Sequence, residues 1–244
     1  MKNKTMFRMA VGVVLTALLA ALAGCMTLAR DNPLGLGKSW KEEVLLHDGS
    51  KIVVKRSQDY DPMGRREIGQ GPPRSEETLY FTLPHSKQAV TWKSDFGPEL
   101  QDNLTLVALD VFNGTPYIVT HATRCHAYNK WGRPNPPYVC FNYNGSSWQR
   151  IQFEELPQEI KEGNVIFGGY DERWDRDRLW SPEPVSVEEI KKINASGVPR
   201  HLRVFVREPL DPKKTQSSVN CPDYNSQQYR SFKAPLPMKP STGK

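Results

Sequence analysis

The chain has 244 residues with 33 Lys and Arg against 27 Asp and Glu, a formal charge of +6. The excess is small and falls further once the leader described next is removed, so a nucleic-acid-binding footprint is excluded. Gly-x-Ser-x-Gly, His-Glu-x-x-His and paired Cys-x-x-Cys spacings are all missing, which removes the motif-bearing hydrolases and zinc enzymes.

The first 25 residues predict processing rather than fold. Lys2, Lys4 and Arg8 precede an apolar run from Met9 to Ala23. At about 15 residues that run is short of the roughly 20 needed for a permanent membrane helix, so it reads as a signal peptide. It ends in "LAGC", Leu22 to Cys25, which resembles the lipobox of bacterial lipoproteins. The resemblance implies cleavage before Cys25 and lipid attachment to it, and two or more acyl chains give stable anchoring where one binds reversibly. Met26, in place of the aspartate that commonly retains such proteins at the inner membrane, implies the outer membrane. Loss of residues 1–24 leaves 30 basic against 27 acidic side chains.

Residues 25–39, with Pro33, Gly35 and Gly37, are expected to tether the folded part to the bilayer. The "GKS" at Gly37 to Ser39 mimics the end of a phosphate-binding loop. Asn32 stands where such a loop needs a glycine, and no strand precedes it.

From Trp40 to Val165 a mainly β domain is predicted, an antiparallel sheet or sandwich built from hairpins. "EEVLLHDGSKIVVKR", "TLVALDVFNGTPYIVTH" and "YVCFNYNGSSWQRIQF" each set Asp-Gly or Asn-Gly between two apolar-rich runs. These pairs supply the positive φ values of tight hairpin turns. Leu79, Phe81 and Leu83 alternate with Thr78, Tyr80 and Thr82, and Leu202, Val204 and Val206 with Arg203, Phe205 and Arg207, so both stretches are expected as half-buried strands. Residues 166–209 read as a smaller appended α+β section. Its one helix is predicted at "SVEEIKKIN", where Ser186 and Glu189 form a capping box and Ser196-Gly197 a stop. Residues 210–244, rich in Pro, Ser and Gln, are expected as a flexible basic tail: from Lys213 onward, Lys213, Lys214, Arg230, Lys233, Lys239 and Lys244 stand against Asp223 alone.

Beyond Cys25 there are three cysteines, Cys125, Cys140 and Cys221. An oxidising envelope allows one pair with one left over. The favoured pair is Cys125 with Cys140, which closes about 15 residues between successive strands for roughly 3 kcal/mol in the chain-entropy model. Pairing with Cys221 is the competing arrangement and would tie down the tail. Tyr128, Trp131 and Arg133 give the enclosed loop aromatic faces and a guanidinium, a combination suited to a glycan or a protein partner or to capping the sheet. His121, Cys125 and His126 lack metal-ligand spacing, and no metal or cofactor is expected.

The segments "WKEEVLLHDGSKIVVKRS", "RREIGQGPP" and "YNKWGRPNPPYVCFNYNG" resemble a family of uncharacterised proteobacterial proteins, many with lipoprotein signals. The resemblance covers Trp40 to Pro157 and implies a bacterial envelope setting. The sequence therefore points to a lipid-anchored envelope protein, attached through Cys25, that acts as a non-enzymatic binding or structural module. The alternative is an envelope hydrolase for glycan or peptide, with His121 and acids such as Asp95, Glu99 and Asp110 gathered from several strands.

Overall fold

The computed structural model describes residues 37–60, 74–95, 104–169, 183–215 and 217–224. Cys25, the tether up to residue 36, the "RREIGQGPP" stretch, Glu99 and the chain beyond Tyr224 lie outside the described residues.

Two antiparallel four-stranded meanders make up the fold. The first runs β1 (Lys38–Leu45), β2 (Lys51–Tyr60), β3 (Arg74–Thr82) and β4 (Ala89–Asp95); the second runs β5 (Leu104–Phe112), β6 (Thr115–Ala122), β7 (Tyr138–Tyr143) and β8 (Trp148–Ile151). All three expected hairpins form. Asn113 and Gly114 turn β5 into β6 with φ of 49° and 78°, the positive pair that a two-residue turn needs to follow the strand twist. In the β7–β8 turn the Asn144 amide oxygen accepts the backbone N–H of Ser146 and of Ser147.

The inner faces of the two sheets meet in one apolar layer. Val44, Val54, Leu79, Phe81, Val90 and Trp92 come from the first sheet, and Leu106, Leu109, Val111 and Ile118 from the second. Alternation sends the side chains between them to the other face, with a bulge in β5 that places both Val107 and Ala108 there. In the first sheet that face is open to water, with Val53 and Tyr80 about half exposed. The second sheet has no such face. Phe153, Leu156, Ile160, Leu202 and Phe205 cover it and pack on Val107, Ala108, Val119, Tyr138 and Cys140. Burial on both sides explains why β5 reads as the nearly unbroken apolar run "LTLVALDVF".

The sheet margins are sealed by single side chains. Asn164 donates from Nδ2 to the carbonyls of Leu45 and Leu109 and accepts the N–H of Leu109, which bridges β1 to β5. At the opposite margin Trp148 Nε1 donates to Thr91 O at 2.8 Å and links β8 to β4.

Three short helices complete the unit: α1 (Cys125–Lys130), α2 (Val187–Ala195) and α3 (Arg200–Arg203). The expected capping box starts α2, with Ser186 Oγ accepting from Glu189 N and Glu189 Oε2 accepting from Ser186 N. The strand expected at Leu202 to Arg207 does not form. Arg200–Arg203 is helical after Pro199, and Leu202 and Phe205 are buried while Val204 is 51% exposed. The helix turns the chain at Leu202, and the extended exit at Val204 brings Phe205 back into the same buried cover, which breaks the apparent period of two.

Candidate functional site

Helix α1 lies where the sequence placed a loop. Arg124 enters it in an extended conformation, and the chain reverses after Trp131 through Gly132 and Arg133, with φ of 83° and 54°. Gly132 N–H and Arg133 N–H donate back to the carbonyls of Asn129 and Tyr128. Ala127 and Tyr128 are thereby driven into an apolar cluster with Leu104, Ala122, Val139 and Val219.

The disulfide joins Cys125 to Cys221, 96 residues apart, and Cys140 is free and buried. The expected Cys125–Cys140 bond is thus replaced by the competing pair. The reason is strand geometry. Val139 faces the cluster around α1, whereas its neighbour Cys140 faces the opposite side of β7 beneath Phe153 and Phe205. Burial raises the Cys140 thiol from 9.0 to about 12, so it stays protonated and inert.

Around the disulfide, α1 grips the segment Ser217–Tyr224. The Arg133 guanidinium donates to Cys221 O at 2.8 Å and to Pro222 O at 2.9 Å while lying 5.0 Å from the centre of the Tyr128 ring. Asn129 reads the same segment from both ends of its amide. Its Nδ2 donates to Pro222 O at 2.9 Å, and its Oδ1 accepts Tyr224 N–H at 3.1 Å. The rings of His126 and Tyr224 are 5.0 Å apart. Farther along, Asn135 forms the same two-way amide pairing with the backbone of Leu210. Leu210 and the stretch Cys221–Tyr224, both within the expected tail, are pinned to the domain.

The three loop residues singled out in the sequence therefore sit together but face inward. Tyr128 is 2% exposed. Trp131 packs edge-on against Phe141 at 5.8 Å under Arg150, whose Nη2 donates to the Trp131 carbonyl. Asn129 completes the arrangement and had no signal in the sequence beyond lying one helical turn from Cys125.

His121 is brought to His201, with ring centres 6.3 Å apart, and to Phe167. Burial, helped by His201 and opposed by a hydrogen bond with Pro137 O, lowers His121 from 6.5 to about 4; burial also lowers His201. Both imidazoles are neutral near pH 7. Among the described residues, no group of three His, Cys, Asp or Glu is placed to hold a metal ion. Asp110 belongs elsewhere: it accepts from His47 Nδ1 at 2.6 Å and from His47 N–H at 3.0 Å, fastening the β1–β2 turn to β5.

A second polar cluster lies beneath the segment around Ile166. Arg56, Glu42 and Glu77 are all fully buried on the inner face of the first sheet, with Arg56 hydrogen-bonded to both carboxylates and to Ile166 O. Burial opposes the Arg56 charge, and the two carboxylates outweigh it and raise its pKa. Glu42 also accepts from Trp40 Nε1 and Ile166 N, so this trio fixes the segment 165–167 against β1. No protein family, curated protein or solved structure matches the chain.

Proposed function

We propose that this chain is a lipoprotein of the bacterial envelope, anchored through Cys25 at the outer membrane and facing the periplasm, whose β sandwich serves as a non-enzymatic binding or structural module for a protein or glycan partner. The observation that carries the reading is the Cys125–Cys221 disulfide. Such bonds persist in oxidising compartments and are rare in reducing ones, and the "LAGC" of Leu22 to Cys25 supplies a means of retention there. The inward-facing, neutral His121 and His201 serve the cover over the second sheet, which favours a binding role over hydrolysis.

The test is metabolic labelling with an alkyne fatty acid, followed by membrane fractionation and thiol alkylation with and without reductant. The expected result is a labelled outer-membrane protein with one free thiol after denaturation. Label should be lost in Cys25→Ser. An unlabelled protein in the soluble fraction, or three free thiols beyond Cys25, would overturn the reading.

A further inference from the structure

The contacts between α1 and Cys221–Tyr224 are of a kind that a protein uses to recognise a peptide. Asn129 spends both ends of its amide on the backbone of Pro222 and Tyr224, and Arg133 forks onto two successive carbonyls. None of these four bonds involves a side chain of the bound segment, which leaves its 3-10 turn in an extended conformation at Cys221, so they read main chain regardless of most of its sequence. Side-chain selection is confined to the ends. The Tyr224 ring lies on His126, and Val219 fills an apolar socket with Leu104, Ala127 and Tyr128.

A second observation shows that the segment does not saturate the site. Trp131 Nε1, on a side chain packed against the cluster that takes in Val219 and Cys221, is buried without a hydrogen-bond partner among the described residues. Buried donors of this sort are normally paired, so a segment with better-placed carbonyls would bind more favourably.

We infer that α1 and the turn after it form a peptide-binding site, closed in cis by the chain's own Cys221–Tyr224, whose partner is an extended peptide with a proline two residues ahead of an aromatic residue. The inference rests on the binding-module reading and names its partner class, but it does not depend on Cys25. Both half-buried cysteines sit at the edge of the site. A dithiol reductant opens it: one thiolate attacks a sulfur of the Cys125–Cys221 bond and releases the other cysteine as a thiolate, and its second thiolate attacks the reductant's own sulfur in the mixed disulfide and releases the remaining cysteine, so that the reductant leaves as a disulfide and two protein thiols form. The cis segment is then held by hydrogen bonds alone and exchanges with a peptide in trans.

The experiment uses the full chain in detergent with Cys221→Ser and Tyr224→Pro, which remove the latch sulfur and the N–H read by Asn129. A fluorescent peptide spanning residues 217–228 with C221S is the probe, followed by polarisation. It should bind the opened chain at least tenfold more tightly than oxidised wild type. Asn129→Ala or Arg133→Ala in the opened chain should weaken binding at least tenfold. Wild type reduced with a dithiol provides a second open form that carries no substitution, and it should bind the probe when the probe is in excess. Equal affinity of open and closed forms while circular dichroism and melting show an intact fold would overturn the inference, as would binding indifferent to Asn129 and Arg133. Loss of fatty-acid label from the cell-grown protein would leave all these outcomes unchanged, so the anchor and the peptide site fail separately.

Discussion

Arg56 shows what a single buried charge commits a fold to. It sits fully buried between Glu42 and Glu77 with its Nε unpaired, on a strand whose other inward residues include Ile52 and Val54. Removing one member of such a set leaves uncompensated charge in a low dielectric, whereas replacing all of it with apolar groups is often neutral. Arg56→Met should therefore cost about 3–5 kcal/mol in urea unfolding. The triple variant Glu42→Leu, Arg56→Met, Glu77→Leu should recover most of that loss; a triple variant as unstable as the single one would show that the trio is needed for its hydrogen bonds rather than its charge balance. Cys140 gives a prediction in pH. Its folded thiol is raised to about 12 from the ordinary 9.0, so above pH 9 the unfolded chain sheds a proton that the folded chain retains. The contribution is fully present below pH 9 and is lost as pH climbs towards 12. The stability gap between wild type and Cys140→Ala should narrow between pH 8 and 11, and a gap constant with pH would count against burial as the cause.

Among the elements, the hairpins were legible and the connections were not. Asp48-Gly49, Asn113-Gly114 and Asn144-Gly145 encode their turns in adjacent residues, and the Ser186–Glu189 box encodes the start of α2 within four. Helix α1 was missed because six residues bounded by a cysteine and a tryptophan carry no periodicity, and because the loop reading tied Cys125 to its neighbour in sequence. The strand expected at Leu202 failed for a related reason: a short helix ends within the stretch, and tertiary cover decides which side chains are buried. Asn129, Asn135 and Asn164 were invisible, since the backbones they read lie 55 to 119 residues away or, for Asn129, 93 and 95. One glycine marks where such a connection is tight. A Cβ on Gly163 would fall 2.6 Å from Leu202 O and 3.1 Å from Val107 O, both backbone atoms. Gly163→Ala should thus part the cover from β5 and lower the melting temperature by several degrees, with faster hydrogen exchange at Asn164 and Phe205; unchanged exchange there would disprove the close approach.

At the level of the whole molecule, the two sheets have unequal surroundings. The first presents one face to water, and the second is sandwiched between the first sheet and the segments from Phe153 to Phe205. The fold class could be read from strand alternation, whereas this third layer could not, because it is made of irregular chain with buried residues at uneven intervals. Within the expected tail, Cys221 is held to the domain by a bond that composition cannot reveal. Polar, proline-rich sequence describes a segment's own preference for solvent, and a covalent link plus four hydrogen bonds to α1 and the turn after it are enough to outweigh it.

The position of that link also sets a schedule for maturation. In the proposed envelope setting the chain crosses the membrane from its N-terminus, so Cys125 and Cys140 meet the oxidant before Cys221 arrives. Early oxidation favours the short, incorrect loop between neighbours, and the correct partner reaches the scene only when most of the chain has been exported. Native protein then depends on reshuffling, because Cys140 must be released before β7 can place it beneath Phe153. Cells lacking a periplasmic disulfide isomerase should accumulate less of the wild type, while Cys140→Ala, which has no wrong partner to offer, should mature normally in the same cells. Equal yields of the two proteins would mean that folding outruns oxidation and that Cys125 waits, unpaired, for the end of its own chain.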